Sequence, residues 1–124
     1  MLKCAGLLWV KMGVKNMPNC EVLYRSTTPT IILHINDQDF DMNSIDICHI
    51  TIENDSGRNK KVYENASINY EDRTINLELT QEDTLSYEPG FVNLQLKIKT
   101  TDGSVYASKI LHTTINDILE EAIL

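Results

Sequence analysis

The chain is poor in the residues on which most small-protein chemistry is built. Its three cysteines, Cys4, Cys20 and Cys48, are an odd number at spacings that fit no zinc motif, so they read as reduced thiols. Five glycines, at positions 6, 13, 57, 90 and 103, never take the spacing of a phosphate-binding loop. There is one tryptophan, two phenylalanines and five tyrosines, too few to predict the exposed aromatic platform of a sugar-binding sandwich. No apolar run approaches the roughly 20 residues of a membrane helix, so no membrane partner is expected. Eleven basic residues face eighteen acidic ones, a net charge of −7, which argues against nucleic acid. No GxSxG or HExxH pattern occurs.

What remains is a globular composition, 42% hydrophobic and 23% charged, in 124 residues, the size of one domain. The first sixteen residues stand apart. Three lysines, no acid and the sole tryptophan lie there, leaving eight basic residues, all eighteen acids and a net −10 in residues 17–124. Such a break predicts a boundary. A signal peptide fits poorly, since no A-x-A-like cleavage site follows the apolar stretch. Two readings stand. Either Met17 is the natural start, Gly13-Val14-Lys15-Asn16 being encodable by a purine-rich ribosome-binding site, or residues 1–16 are an N-terminal arm that packs Leu7, Leu8 and Trp9 on a partner. Residues 17–124 form the domain in both.

The body reads as strands. Thr30–Ile35 is β-branched and apolar. In Ile45–Glu53 the apolar phase slips between Ile47 and Ile50, which predicts a bulge near Cys48–His49. Lys60–Glu64 and Ser67–Tyr70 are weaker strands, and Thr74–Leu79 alternates cleanly. Thr80 with Asp83 has capping-box spacing for one helical turn, with Leu85 as its buried anchor. Val92, Leu94, Leu96 and Ile98 alternate with polar residues, and Asp102-Gly103 predicts a hairpin to a strand whose apolar positions are Val105, Ala107, Ile110 and Leu111. Six to eight short strands at roughly 8–12 residue spacing predict an all-β, immunoglobulin-like antiparallel β-sandwich with one short helical turn.

Candidate chemistry is sparse. Asp37, Asp39 and Asp41 have the alternate spacing of a calcium loop, but Met42 stands where such a loop needs glycine and Cys48 where it needs glutamate, so a solvated acidic loop is expected. His34, His49 and His112 are far apart in sequence, and Cys48-His49 are strand neighbours that point to opposite faces. No enzyme activity and no cofactor are expected. At the end of the chain Ile115, Ile118, Leu119, Ala122 and Ile123 recur at helical spacing. So short a helix is unstable alone, so a helical or extended tail must dock, and Ile115, Ile118, Leu119, Ile123 and Leu124 form the expected subunit interface.

Seven ordered features carry a resemblance: Thr27-Thr28-Pro29-Thr30-Ile31-Ile32, Leu79-Thr80-Gln81-Glu82-Asp83-Thr84-Leu85, Gly90, Gln95-Leu96, Asp102-Gly103, Ala107-Ser108 and Leu119-Glu120-Glu121-Ala122-Ile123-Leu124. Together they are similar to a family of small structural proteins encoded by phages and prophages of Firmicutes, over about residues 24–124. The resemblance implies a non-enzymatic virion component of the tail or baseplate, made in the bacterial cytoplasm and homo-oligomeric among other virion proteins. It carries over no catalytic residue, and nothing in it corresponds to residues 1–16. The rival readings are a soluble ligand-binding sandwich, for example for carbohydrate, and a head decoration protein.

Overall fold

A computed structural model of the chain describes residues 7–8, 10–14 and 22–124. Among the described residues eleven strands form two sheets: β1 (Leu7–Leu8), β2 (Val10–Val14), β3 (Val22–Tyr24), β4 (Thr30–Ile35), β5 (Ile45–Asn54), β6 (Lys60–Tyr63), β7 (Ser67–Asn69), β8 (Thr74–Glu78), β9 (Gly90–Thr100), β10 (Val105–Ser108) and β11 (Leu111–Asn116). A 3-10 turn, Met42–Ser44, precedes β5, and one short helix, α1 (Gln81–Leu85), precedes β9. The smaller sheet runs β2-β4-β8-β7. The larger is built around β9, with β5 and then β6 on one edge. On the other edge β11 and β10 lie end to end, β11 against Gly90–Leu94 and β10 against Lys97–Lys99. The expected all-β sandwich therefore forms.

Alternation decides the packing. Val92, Leu94, Leu96 and Ile98 of β9 point inward and are all but fully buried, with Ile50 and Ile52 beside them and Ile31, Leu33, Ile75 and Leu77 facing them from the smaller sheet. Each such side chain contributes about 1.5–3 kcal/mol when buried. Where β10 gives way to β11 the ladder is interrupted. Ser108, buried, fills the break: its Oγ accepts the Leu96 N–H at 3.0 Å and donates to the Lys109 carbonyl at 2.8 Å. Asp102-Gly103 forms the turn between β9 and β10, and Gly103 takes the left-handed φ of 88° that the turn requires.

Several expectations need correction. The bulge of β5 falls between Ile45 and Ile47, so Ile45, Cys48, Ile50 and Ile52 share the inner face while Ile47 points out, 44% exposed. In β10 the inner positions are Tyr106 and Ser108, not Val105, because Tyr106 packs edge-on against Phe40 at 5.4 Å. In α1 the buried residue is Thr84, whose hydroxyl bonds the Thr27 carbonyl at 2.9 Å, and Leu85 is only half-buried. The sheets are not wholly antiparallel, since β1 runs parallel to β10 and β3 parallel to β11.

A further correction concerns residues 10–14. Val10–Val14 is the edge strand of the smaller sheet, paired with β4 from Ile35 to Ile31, and Val10 and Met12 are buried in the core. Residues 10–14, on the far side of the charge break from the body, thus belong to the sandwich. Cys4, Cys20 and Met17 lie outside the described residues, as do the side chains of Leu7, Leu8 and Trp9. A chain starting at Met17 should lose at least about 3 kcal/mol of unfolding free energy, the contribution of two buried apolar side chains, and should aggregate through the bared edge of β4. Denaturant unfolding of the two forms checks this; equal midpoints would show that β2 is dispensable.

Candidate functional site

The C-terminal segment is the part of the molecule whose side chains are least explained by the fold. Ile115 is not part of it: it lies in β11, 1% exposed, inside the domain's own core, which corrects its placement at an interface. After Asn116 the chain forms no helix. It runs without regular structure beside the β3–β4 turn, held there by polar groups. The Arg25 guanidinium donates to Asp117 at 3.1 Å, to Glu121 at 2.8 Å and to the Leu85 carbonyl at 3.2 Å. The Ser26 hydroxyl reaches the carbonyls of Glu121 and Ala122 at 3.3 and 3.2 Å. Gln81 of α1 accepts the Leu124 N–H at 3.1 Å.

The local sequence explains the anchor. Arg25 and Ser26 form the turn that leaves β3, and Ser26 is held at φ 59°, a left-handed conformation that costs a non-glycine residue about 1–3 kcal/mol. Gln81 is placed by the capping box: Thr80 Oγ1 accepts the Asp83 N–H at 3.0 Å and Asp83 accepts the Thr80 N–H at 2.9 Å. Burial pushes the Asp83 carboxyl up, but Lys61 at 2.6 Å and Thr80 together hold it below the usual carboxylate range. Behind α1, Tyr63 and Tyr87 share a hydrogen bond at 2.9 Å, and desolvation raises both phenols.

Polar groups thus pin the segment while its large aliphatics face solvent: Leu119 is fully exposed, Leu124 94% and Ile123 52%. Ile118 is half-buried. Arg25, Ser26 and Gln81 were not legible as partners. Arg25 is 92 and 96 residues from the carboxylates it binds, and no local pattern announces such a pairing.

The other candidates do not converge. Asp37 is buried and its Oδ1 accepts the Asp39 N–H at 3.2 Å, while Asp41 Oδ1 caps the 3-10 turn through the Asn43 N–H at 3.0 Å. Arg73 closes the loop by donating to the carbonyls of Asp37 and Phe40. Among the described residues no three His, Cys, Asp or Glu side chains stand together as a metal would need. His34 is exposed on the smaller sheet, His49 faces Glu64 at 3.3 Å and His112 bonds Asn93 at 2.8 Å, so the three sit apart. Cys48 faces inward, and burial pushes its thiol up to about 11, which keeps it protonated and a poor nucleophile at neutral pH. The outer face of the smaller sheet carries an open polar groove lined by Thr30, His34, Ser67, Asn69, Asn76 and Glu78, with no aromatic among its lining residues.

No protein-family profile matches the chain, and no curated sequence does. Among solved structures, CopC from Methylosinus trichosporium OB3b is similar in fold, with a TM-score of 0.51 and 13% identity over 92% of this chain and 96% of that one. At that identity the likeness extends to the β-sandwich alone.

The anchor responds to acid in a defined direction. The Ile118 N–H is the strongest influence on Asp117; slight desolvation opposes it, and Arg25 adds to it, so the carboxyl lies below its ordinary value. The folded state therefore binds fewer protons than the unfolded chain. The contribution is complete above the ordinary carboxylate range and is lost as pH falls through the depressed value. Arg25→Met should free the segment at every pH, raising amide exchange at Ile118 and Leu124 about tenfold, the equivalent of one charge-assisted hydrogen bond. Unchanged exchange would mean that Arg25 does not hold the segment.

Proposed function

We propose that this protein is a non-enzymatic assembly module of a phage virion, in the tail or baseplate, acting through protein–protein contacts in which the C-terminal segment is a principal element. One observation carries the reading. A segment fixed to its own domain by Arg25, Ser26 and Gln81 turns Leu119, Ile123 and Leu124 outward, where they gain nothing unless a neighbour covers them. The resemblance of the ordered motifs to those of phage structural proteins is the ground for the virion setting. A ligand-binding role for the polar groove is less favoured, because its lining offers no Trp, Tyr or Phe ring on which a sugar would stack.

Removing Ile118–Leu124 takes away no fully buried side chain, so the truncated chain should keep a cooperative melt close to that of the parent. It should fail to assemble with itself and should be missing from purified particles, as judged by light scattering and by mass spectrometry of virions. A truncated chain that assembles and is packaged like the parent would refute the role of the segment, and absence of the full chain from particles would refute the virion setting.

A further inference from the structure

The outer face of the larger sheet carries a feature that the fold itself does not use. The body of the chain is strongly acidic, yet two of its eight lysines and arginines, Lys97 and Lys99, stand side by side on the outer face of β9. Both are exposed, and among the described residues neither is in an ion pair. The register sets Ile47 on one side of Lys99 and Val105 on the other, 44% and 49% exposed. Lys97 stands between Ala107 and His49, which faces Glu64 at 3.3 Å, so the patch is a pair of cations whose aliphatic flank lies at Lys99.

The C-terminal segment has the complementary composition. Asp117 and Glu121 are taken up by Arg25, whereas Glu120 is exposed and outside any ion pair among the described residues. It follows the fully exposed Leu119 directly. We infer that residues 118–124 of one copy dock on the outer face of the larger sheet of a second copy, with Glu120 against Lys97 and Lys99 and the aliphatics of the segment against Ile47 and Val105. This rests on the assembly reading above and names the partner surface for it.

Geometry requires the contact to be between copies. The segment leaves the sheet beside Phe91, which pairs with Thr114, and is pinned there by Arg25 and Ser26. Lys99 lies eight residues further along β9, about 26 Å away at the rise of an extended strand. A tethered segment cannot cover its own lysine patch. Such a contact closes as a reciprocal two-fold pair where each segment reaches the face of the other copy, and otherwise continues into a ring or a filament.

The test is self-association of the full chain across concentration, followed by sedimentation, with thermal melts to show that each variant is folded. The double variant Lys97→Glu, Lys99→Glu should need at least about tenfold more protein to assemble, because attraction is replaced by like-charge repulsion. Adding Glu120→Lys to that variant should recover part of the loss. Assembly of the double variant at the parent's concentration overturns the inference, as does a lack of recovery with Glu120→Lys or a parent that stays monomeric into the millimolar range. If removal of Ile118–Leu124 abolishes assembly while the lysine variants do not weaken it, this docking surface fails and the segment's role in assembly stands. If neither change matters, both fail.

Discussion

The pairing of β9 along both of its edges is the constraint on which the rest of the structure depends. Eleven residues alternate in and out from Gly90 to Thr100, and the inward row is the centre of the core. Its N–H and carbonyl groups must be met on both sides, because an unpaired buried backbone group is costly. β5 meets one edge nearly throughout, from Val92 to Thr100. The other edge is shared by two shorter strands, and the Ser108 hydroxyl stands in for the missing backbone acceptor between them. The same alternation that buries Leu96 and Ile98 turns Lys97 and Lys99 to solvent. The packing of the core and the charge of the outer face are thus two consequences of one strand.

The C-terminal segment extends that logic. β11 ends where β3 ends, and the turn after β3 supplies Arg25 and a left-handed Ser26 that anchor the chain beyond Asn116. Hydrogen bonds and ion pairs hold this segment, with Ile118 half-buried beside them. Its aliphatic side chains are consequently left outward, which is the reverse of how a chain end normally docks on its own domain. A helix would have turned the same side chains onto one face, but the segment is too short for one to persist in water and is claimed instead by its anchors.

Local patterns were legible in the amino-acid sequence and distant pairings were not. Thr30–Ile35 and Thr74–Glu78 declare themselves by β-branched, alternating residues, the Asp102-Gly103 turn by its dipeptide, and the cap of α1 by Thr80 and Asp83. The phase of β10 is not legible locally, because Tyr106 outweighs Val105 once Phe40 lies opposite it, a fact of tertiary packing. The edge strand Val10–Val14 is hidden by a composition break that says nothing about pairing with β4. At the site, the exposed aliphatics of the C-terminal segment are visible in the sequence, whereas Arg25 and the lysine face become meaningful only when the sheet sets their positions.

These features combine in a sandwich whose central strand presents a basic, aliphatic face at one end of the larger sheet, and whose final segment is fixed at the other end with a carboxylate and aliphatics outward. In the docking we infer, the segment of one copy meets the lysine face of another. The most direct measurement is zero-length carboxyl-to-amine cross-linking of an assembled mixture of isotopically light and heavy chains. Mixed-isotope cross-links joining Glu120 to Lys97 or Lys99 are the predicted result. Their absence, or cross-links confined to single chains, would contradict docking of the segment between copies.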